Sequence, residues 1–123
     1  MEGLIAKLDK IDFTAIDIDN LLDNRDRDPF DSEWIRVYRE IEAIKKEKSY
    51  TDEDKNYASN IREKAFMKIY NLSGHGELAE YVSDDFGLIV DSRILKYSDV
   101  WLDKLISSYE NANIPCGNLK QQT

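Results

Sequence analysis

The sequence predicts an all-α single domain, a helical bundle of four to six helices, and three observations carry that prediction. The 123 residues amount to about one domain's worth of chain. The only two prolines, Pro29 and Pro115, leave a long uninterrupted stretch between them, and apolar residues recur along that stretch at helical rather than alternating spacing. Hydrophobic residues make up 41% of the chain, with two Trp and seven Tyr, which is enough apolar material to fill one core. We expect one acidic helical domain over residues 1–112 and a flexible C-terminal tail over 113–123.

Two short helices open the chain, over residues 3–11 and 14–24. Leu4, Ile5 and Leu8 give the first an apolar edge, and Ile18, Leu21 and Leu22 the second. The intervening run from Ile11 to Asp19 also alternates in places like a strand. Asn24 to Asp31 reads as a loop, because it is dense in Asp and Arg and Pro29 pushes Asp28 away from helical angles. Asp31 and Ser32 are both good N-caps for a helix over 32–48, whose Trp34, Val37, Tyr38, Ile41 and Ile44 are spaced three and four apart. Lys45, Lys46 and Lys48 lie at its end, where cations favour the helix dipole.

Thr51-Asp52-Glu53-Asp54 starts the longest helix, 52–72, with a capping-box pattern in which the third acid reaches back to the cap amide. Tyr57, Ala58, Ile61, Ala65, Ile69 and Leu72 share an arc of about 120°, while Phe66, Met67 and Tyr70 lie opposite. Two apolar faces imply a central helix, or one that lends its second face to a partner. Gly74 in Ser73-Gly74-His75-Gly76 suits a left-handed cap. From Glu77 to Lys96, Leu78, Val82, Phe86, Ile89 and Arg93 form one stripe, and Asp85 falls in its middle. Either the helix is continuous and Asp85 is buried with a partner, or it breaks at Ser83 and Asp85 is an acid at a helix start. A last helix, 98–109, aligns Trp101, Leu102, Leu105, Ile106 and Tyr109.

Few chemistries fit this inventory. One His and one Cys, His75 and Cys116, are too few for a zinc site, and Asp17-Ile18-Asp19 and Asp26-Arg27-Asp28 lack the glycine and closing Glu of a calcium-binding EF-hand loop. No nucleophile elbow and no phosphate-binding glycine loop occurs, and His75 reads as an exposed histidine in an interhelix turn. No catalytic residue, metal or cofactor is called for, and the chain reads as a binding protein rather than an enzyme. A single cysteine makes no intramolecular disulfide, and the N-terminus has neither a signal peptide nor a membrane span, so a cytoplasmic setting is expected.

Charge carries the most content. The net charge is −8 with a pI near 4.6, which argues against direct binding of nucleic acid and favours a basic partner. Residues 1–35 hold ten acids and four bases, 36–70 hold seven and nine, and 71–123 hold eight and four. The acids therefore gather at two centres. One contains Asp23, Asp26 and Asp28. The other contains Glu77, Glu80, Asp84 and the adjacent Asp85, and helical spacing puts Tyr81 on the face of Glu77, Glu80 and Asp84. An aromatic ringed by charge is a common hot-spot composition, so these eight residues are the candidate partner-binding set, with Phe66, Met67 and Tyr70 as another source of apolar contact.

The segment Ser73-Gly74-His75-Gly76-Glu77-Leu78-Ala79-Glu80-Tyr81-Val82-Ser83-Asp84-Asp85-Phe86-Gly87-Leu88-Ile89, in a small acidic helical chain, resembles the bacterial immunity proteins that accompany polymorphic and contact-dependent growth-inhibition toxins. The resemblance lies in size, charge, helical layout and the character of this segment. It implies a role: binding a cognate toxin domain, often a basic nuclease, and covering its active site or substrate surface. No site is carried over from it. Composition and motifs alone leave two other readings, a helical adaptor with another basic protein partner and a small metal-dependent hydrolase built on acidic residues. Oligomeric state is not written in the sequence.

Overall fold

A computed structural model describes residues 1–121, and among these there are six α-helices and no strand. They are α1 (Glu2–Lys7), α2 (Ile18–Arg25), α3 (Phe30–Glu47), α4 (Asp52–Ser73), α5 (Gly76–Leu95) and α6 (Val100–Glu110), with short 3-10 turns at Leu8–Lys10, Phe13–Ala15 and Leu119–Gln121. The all-α expectation holds. No helix is long and apolar enough to cross a membrane among the described residues.

The first two helices are shorter than the periodicity suggests. Ile11 and Ile16 are extended, Asp12 caps the 3-10 turn and Asp17 caps α2, its carboxylate accepting from Asn20 N at 3.2 Å. An Asp side chain that bonds a nearby backbone amide gives the chain an alternative to continuing the helix. α3, conversely, begins earlier than 32. Its N-cap position is Pro29, so Asp31 and Ser32 lie inside the first turn and neither caps the helix; the Ser32 hydroxyl donates to Asp28 instead. The start is pulled back because Phe30 is core, buried edge-on against Trp101 with ring centroids 5.3 Å apart, and a proline at a helix start forfeits no intrahelical bond.

The capping box of α4 forms as expected, with Asp54 N donating to Thr51 Oγ1 and Thr51 N to Asp54 Oδ2, both at 3.0 Å. The far end stops at Gly74, whose φ of 70° is the left-handed conformation that side chains resist. His75 then caps α5, its Nδ1 accepting from Leu78 N at 3.2 Å. α4 and α5 form an antiparallel hairpin packed along its length. Gly87 permits this closeness, since a Cβ there would stand 2.8 Å from Arg62 Cδ.

The central helix is α5 and not α4. α4 buries only the stripe Ala58, Ile61, Ala65 and Ile69, leaving Tyr57, Met67, Tyr70 and Leu72 exposed. α5 buries Leu78, Val82, Phe86 and Ile89 of its predicted stripe and also Ala79, Gly87, Leu88 and Val90, while Arg93 of that stripe is exposed. Each large apolar side chain removed from water contributes roughly 1.5–3 kcal/mol, so the helix with the most buried residues takes the middle, its Glu77, Glu80 and Asp84 left toward the surface. α3 and α6 pack against the same core through Val37, Ile41, Trp101, Leu102 and Leu105.

The chain after α6 folds back onto the bundle. Ile114 and Leu119 are buried, Pro115 O accepts from Arg25 Nη1 at 3.2 Å, and Lys120 Nζ lies 3.1 Å from Glu33. The Asn, Pro and Gly content of 113–123 predicts a flexible tail; residues 122 and 123 lie outside the described residues, and Ile114 and Leu119 bury their apolar side chains against the core.

Candidate partner-binding site

α5 runs unbroken through Ser83, so Asp85 is carried into the core, fully buried. There it meets Arg25, at the last turn of α2, in a two-pronged pair with both N–O distances 2.7 Å. Trp34 Nε1 donates to Asp85 Oδ1 at 2.9 Å and the Tyr109 hydroxyl to Oδ2 at 2.5 Å. One carboxylate thus receives four hydrogen bonds from α2, α3 and α6, which meets the condition for burying a charge. Burial works against the Arg25 cation, but the Asp85 charge and hydrogen bonds outweigh it and raise its pKa. Burial and then the neighbouring Asp85 charge lift the Tyr109 pKa far above the usual tyrosine value, so it remains a hydroxyl donor.

Above this cluster lies the surface. The Arg25 guanidinium stacks between the rings of Phe30 at 4.5 Å and Tyr81 at 5.3 Å. Tyr81 in turn donates to Asp26 Oδ1 at 2.6 Å, and that bond, with burial, raises its pKa to about 12. This bond brings one residue of each acidic centre together, Asp26 from the first and Tyr81 from the second. Asp23, Asp26, Asp28, Glu77 and Glu80 are exposed. Asp84 is half-buried and pairs with Arg62 of α4 at 2.7 Å; burial pushes its carboxyl pKa upward against the pull of that arginine.

Two hollows open on this side of the molecule. A small one of about 250 Å3 lies where α2, the start of α3 and α5 meet, with Trp34, Ile35 and Tyr81 in its walls and Arg25 at its base. A groove of about 680 Å3 continues between α3 and α4, with Gly87, Leu88 and Asp91 of α5 along it, Tyr38 and Tyr50 on one side and Lys55 and Arg62 on the other. Trp34 and Asp84 border both. Among the described residues no three His, Cys, Asp or Glu side chains come together in a way that would hold a metal ion.

Of the eight predicted binding residues five are exposed, Tyr81 and Asp84 are half-buried, and Asp85 is fully buried, so that it supports its neighbours from below and cannot touch a partner. Arg25 is absent from the predicted set. Its signal is present in the chain, because Ile18, Leu21, Leu22 and Arg25 follow one helical stripe, and an arginine on an apolar stripe of one helix is the natural complement of an aspartate on the stripe of another. Periodicity marks Trp34 and Tyr109 only as core positions; the structure adds their polar atoms to the cluster.

The model of the family described as immunity protein PIM1 matches residues 4–116. No curated protein matches the chain.

Proposed function

Because the chain belongs to the immunity protein PIM1 family, we propose that it neutralises a cognate toxin domain that is basic, most simply a nuclease, by covering that domain's active site or substrate surface with the acidic face around Tyr81. The acids stand where nucleic-acid phosphates would otherwise lie, draw the partner in and fix its register. Tyr81 is the aromatic anchor, held in place by Asp26 in front and by Arg25 behind. Asp85 is a positioning residue that fixes Arg25 and Trp34. The observation that supports this reading is the Tyr81–Asp26 hydrogen bond at 2.6 Å, which brings together one residue from each of two charge clusters that are distant in sequence.

The test is stopped-flow mixing with the co-expressed toxin domain at several salt concentrations, alongside a DNA and RNA cleavage assay of that domain with and without this protein. Association should slow steeply as salt screens charges beyond a Debye length of roughly 10 Å at 0.1 M, with dissociation responding less. Lysine substitution of Asp23, Asp26 and Asp28, or of Glu77, Glu80 and Asp84, should slow association, the second set more because Tyr81 shares its helix face. A salt-independent rate, or wild-type binding by both triple variants, would remove the support for this mechanism, and a toxin domain that cleaves neither nucleic acid would exclude the nuclease.

A further inference from the structure

On a chain of net charge −8, the groove between α3 and α4 is lined by residues whose charges cancel: three acids, Glu42, Asp84 and Asp91, stand against three bases, Lys45, Lys55 and Arg62. They are matched in space as well as in number. Lys45 Nζ lies 2.8 Å from Asp91 and 3.4 Å from Glu42, and Arg62 lies 2.7 Å from Asp84. Asp91 also accepts from the Tyr50 hydroxyl at 2.6 Å, and Lys55 is exposed to water near the start of α4. Beside these pairs the α3 wall is aromatic. Trp34 and Tyr38, about one turn apart, stack with ring centroids 5.6 Å apart and planes 16° from parallel. The Trp34 N–H is spent inward on Asp85 at 2.9 Å, which fixes the indole and leaves only its apolar part toward water, and Tyr38 is 45% exposed. Aromatic side chains held in place before contact lose little freedom on binding, and Trp and Tyr are enriched among the residues that carry binding energy at interfaces.

Charge matching selects the occupant. A charged group entering the groove meets counter-charges that are already taken, and must break a pair while both of its members lose water. An uncharged side chain that lays apolar surface on Trp34 and Tyr38 carries no such cost. A second copy of this chain brings −8 against −8 and is opposed by like-charge repulsion. Resting on the toxin-neutralising reading above, we infer that the groove seats an uncharged segment of the toxin, with an aromatic or large aliphatic side chain against the Trp34–Tyr38 stack. The groove is then the desolvated core of the contact, and the acids around Tyr81, whose hollow shares Trp34 and Asp84 with the groove, are its charged rim. Core and rim have separate kinetic signatures, since rim charge sets the association rate and the core sets how long the complex lasts.

The test compares association and dissociation rates of the full chain with the co-expressed toxin domain for three variants. Tyr38→Ala should speed dissociation about thirtyfold and change association less than about twofold. Ser59→Trp, which fills the groove from an exposed position on its α4 wall and leaves the aromatic stack intact, should weaken binding by a similar factor. Tyr57→Ala is the control and should bind as wild type, because Tyr57 is 47% exposed, much as Tyr38 is, but does not line the groove. The Trp34 indole N–H resonance reports in each variant that the hydrogen bond to Asp85 survives. Equal dissociation of Tyr38→Ala and Tyr57→Ala, with salt-dependent association retained, would overturn the groove and leave the acidic face standing. Wild-type protein that binds no toxin domain would overturn both. A dimer of this protein in sedimentation that Tyr38→Ala abolishes would overturn the inference by giving the groove to a second copy.

Discussion

Replacing Asp85 by alanine removes the acceptor of four hydrogen bonds at the centre of the bundle. Arg25, only 5% exposed, then keeps its charge with no counter-ion, and the fully buried Tyr109 loses the acceptor for its hydroxyl. Breaking a buried pair on one side costs about 3–5 kcal/mol, and an orphaned buried hydroxyl adds about 1 kcal/mol or more. Against a total stability of about 5–15 kcal/mol for a domain, Asp85→Ala should bring the protein near its unfolding limit. The size comes from the stranded arginine, not from intrinsic strength of the pair. Replacing the ion pair and its buried tyrosine in the Arg25→Met/Asp85→Leu/Tyr109→Phe variant, which leaves only the part-buried Trp34 N–H and Pro115 O without their partners, should therefore restore stability to within about 2 kcal/mol of wild type, because apolar groups of similar volume replace buried ions at little net cost. Urea unfolding with unchanged slope reads both values from the midpoints. A shift below about 1 kcal/mol for Asp85→Ala, the size expected of an acid at a helix start, would refute the buried-pair argument. So would simple additivity of Arg25→Met and Asp85→Ala, since residues in one network must couple.

Two other perturbations have outcomes set by the same packing. Asp99 caps α6 through Leu102 N at 3.0 Å and pairs with Arg36 at 2.9 Å; burial raises its pKa, but the Arg36 hydrogen bond and the cap amide outweigh that and lower it. A carboxyl depressed on folding stabilises above its unfolded pKa of roughly 3.9 and loses that contribution as pH falls through the folded value, so Asp99→Asn should cost about 1 kcal/mol at neutral pH and close to nothing near pH 2. Urea midpoints of the two proteins that fail to converge on acidification would contradict it. Leu119 is 1% exposed, so Leu119→Ala should cost about 2–5 kcal/mol by leaving a cavity; an unchanged thermal midpoint would mean that the C-terminal segment does not belong to the core.

The helices are legible in the chain wherever the deciding forces are local. Thr51 to Asp54 caps α4 because a hydroxyl and a carboxylate reach amides three residues away, and Gly74 ends it because the left-handed turn excludes a Cβ. The stripe on α6 appears at its expected spacing, since 3.6 residues per turn is a property of the backbone alone. The start of α3 is not legible, because Phe30 is placed by Trp101, far along the chain, and neither is the centre of the bundle, because Tyr57 and Leu72 of α4 are apolar yet stay exposed. For Asp85 the pattern poses two alternatives and stops there: whether an aspartate on an apolar stripe is tolerable depends on a cation elsewhere in the chain, and only packing brings Arg25, sixty residues earlier, into reach. Composition determined that the chain is acidic, because net charge is a sum over residues, and apolar spacing determined that it is helical, because the period belongs to the backbone. That Asp26 and Tyr81 make one face rather than two was decided by tertiary structure, because adjacency between helices follows from how their buried sides fit, and the acidic residues on their outer sides have no part in that fit.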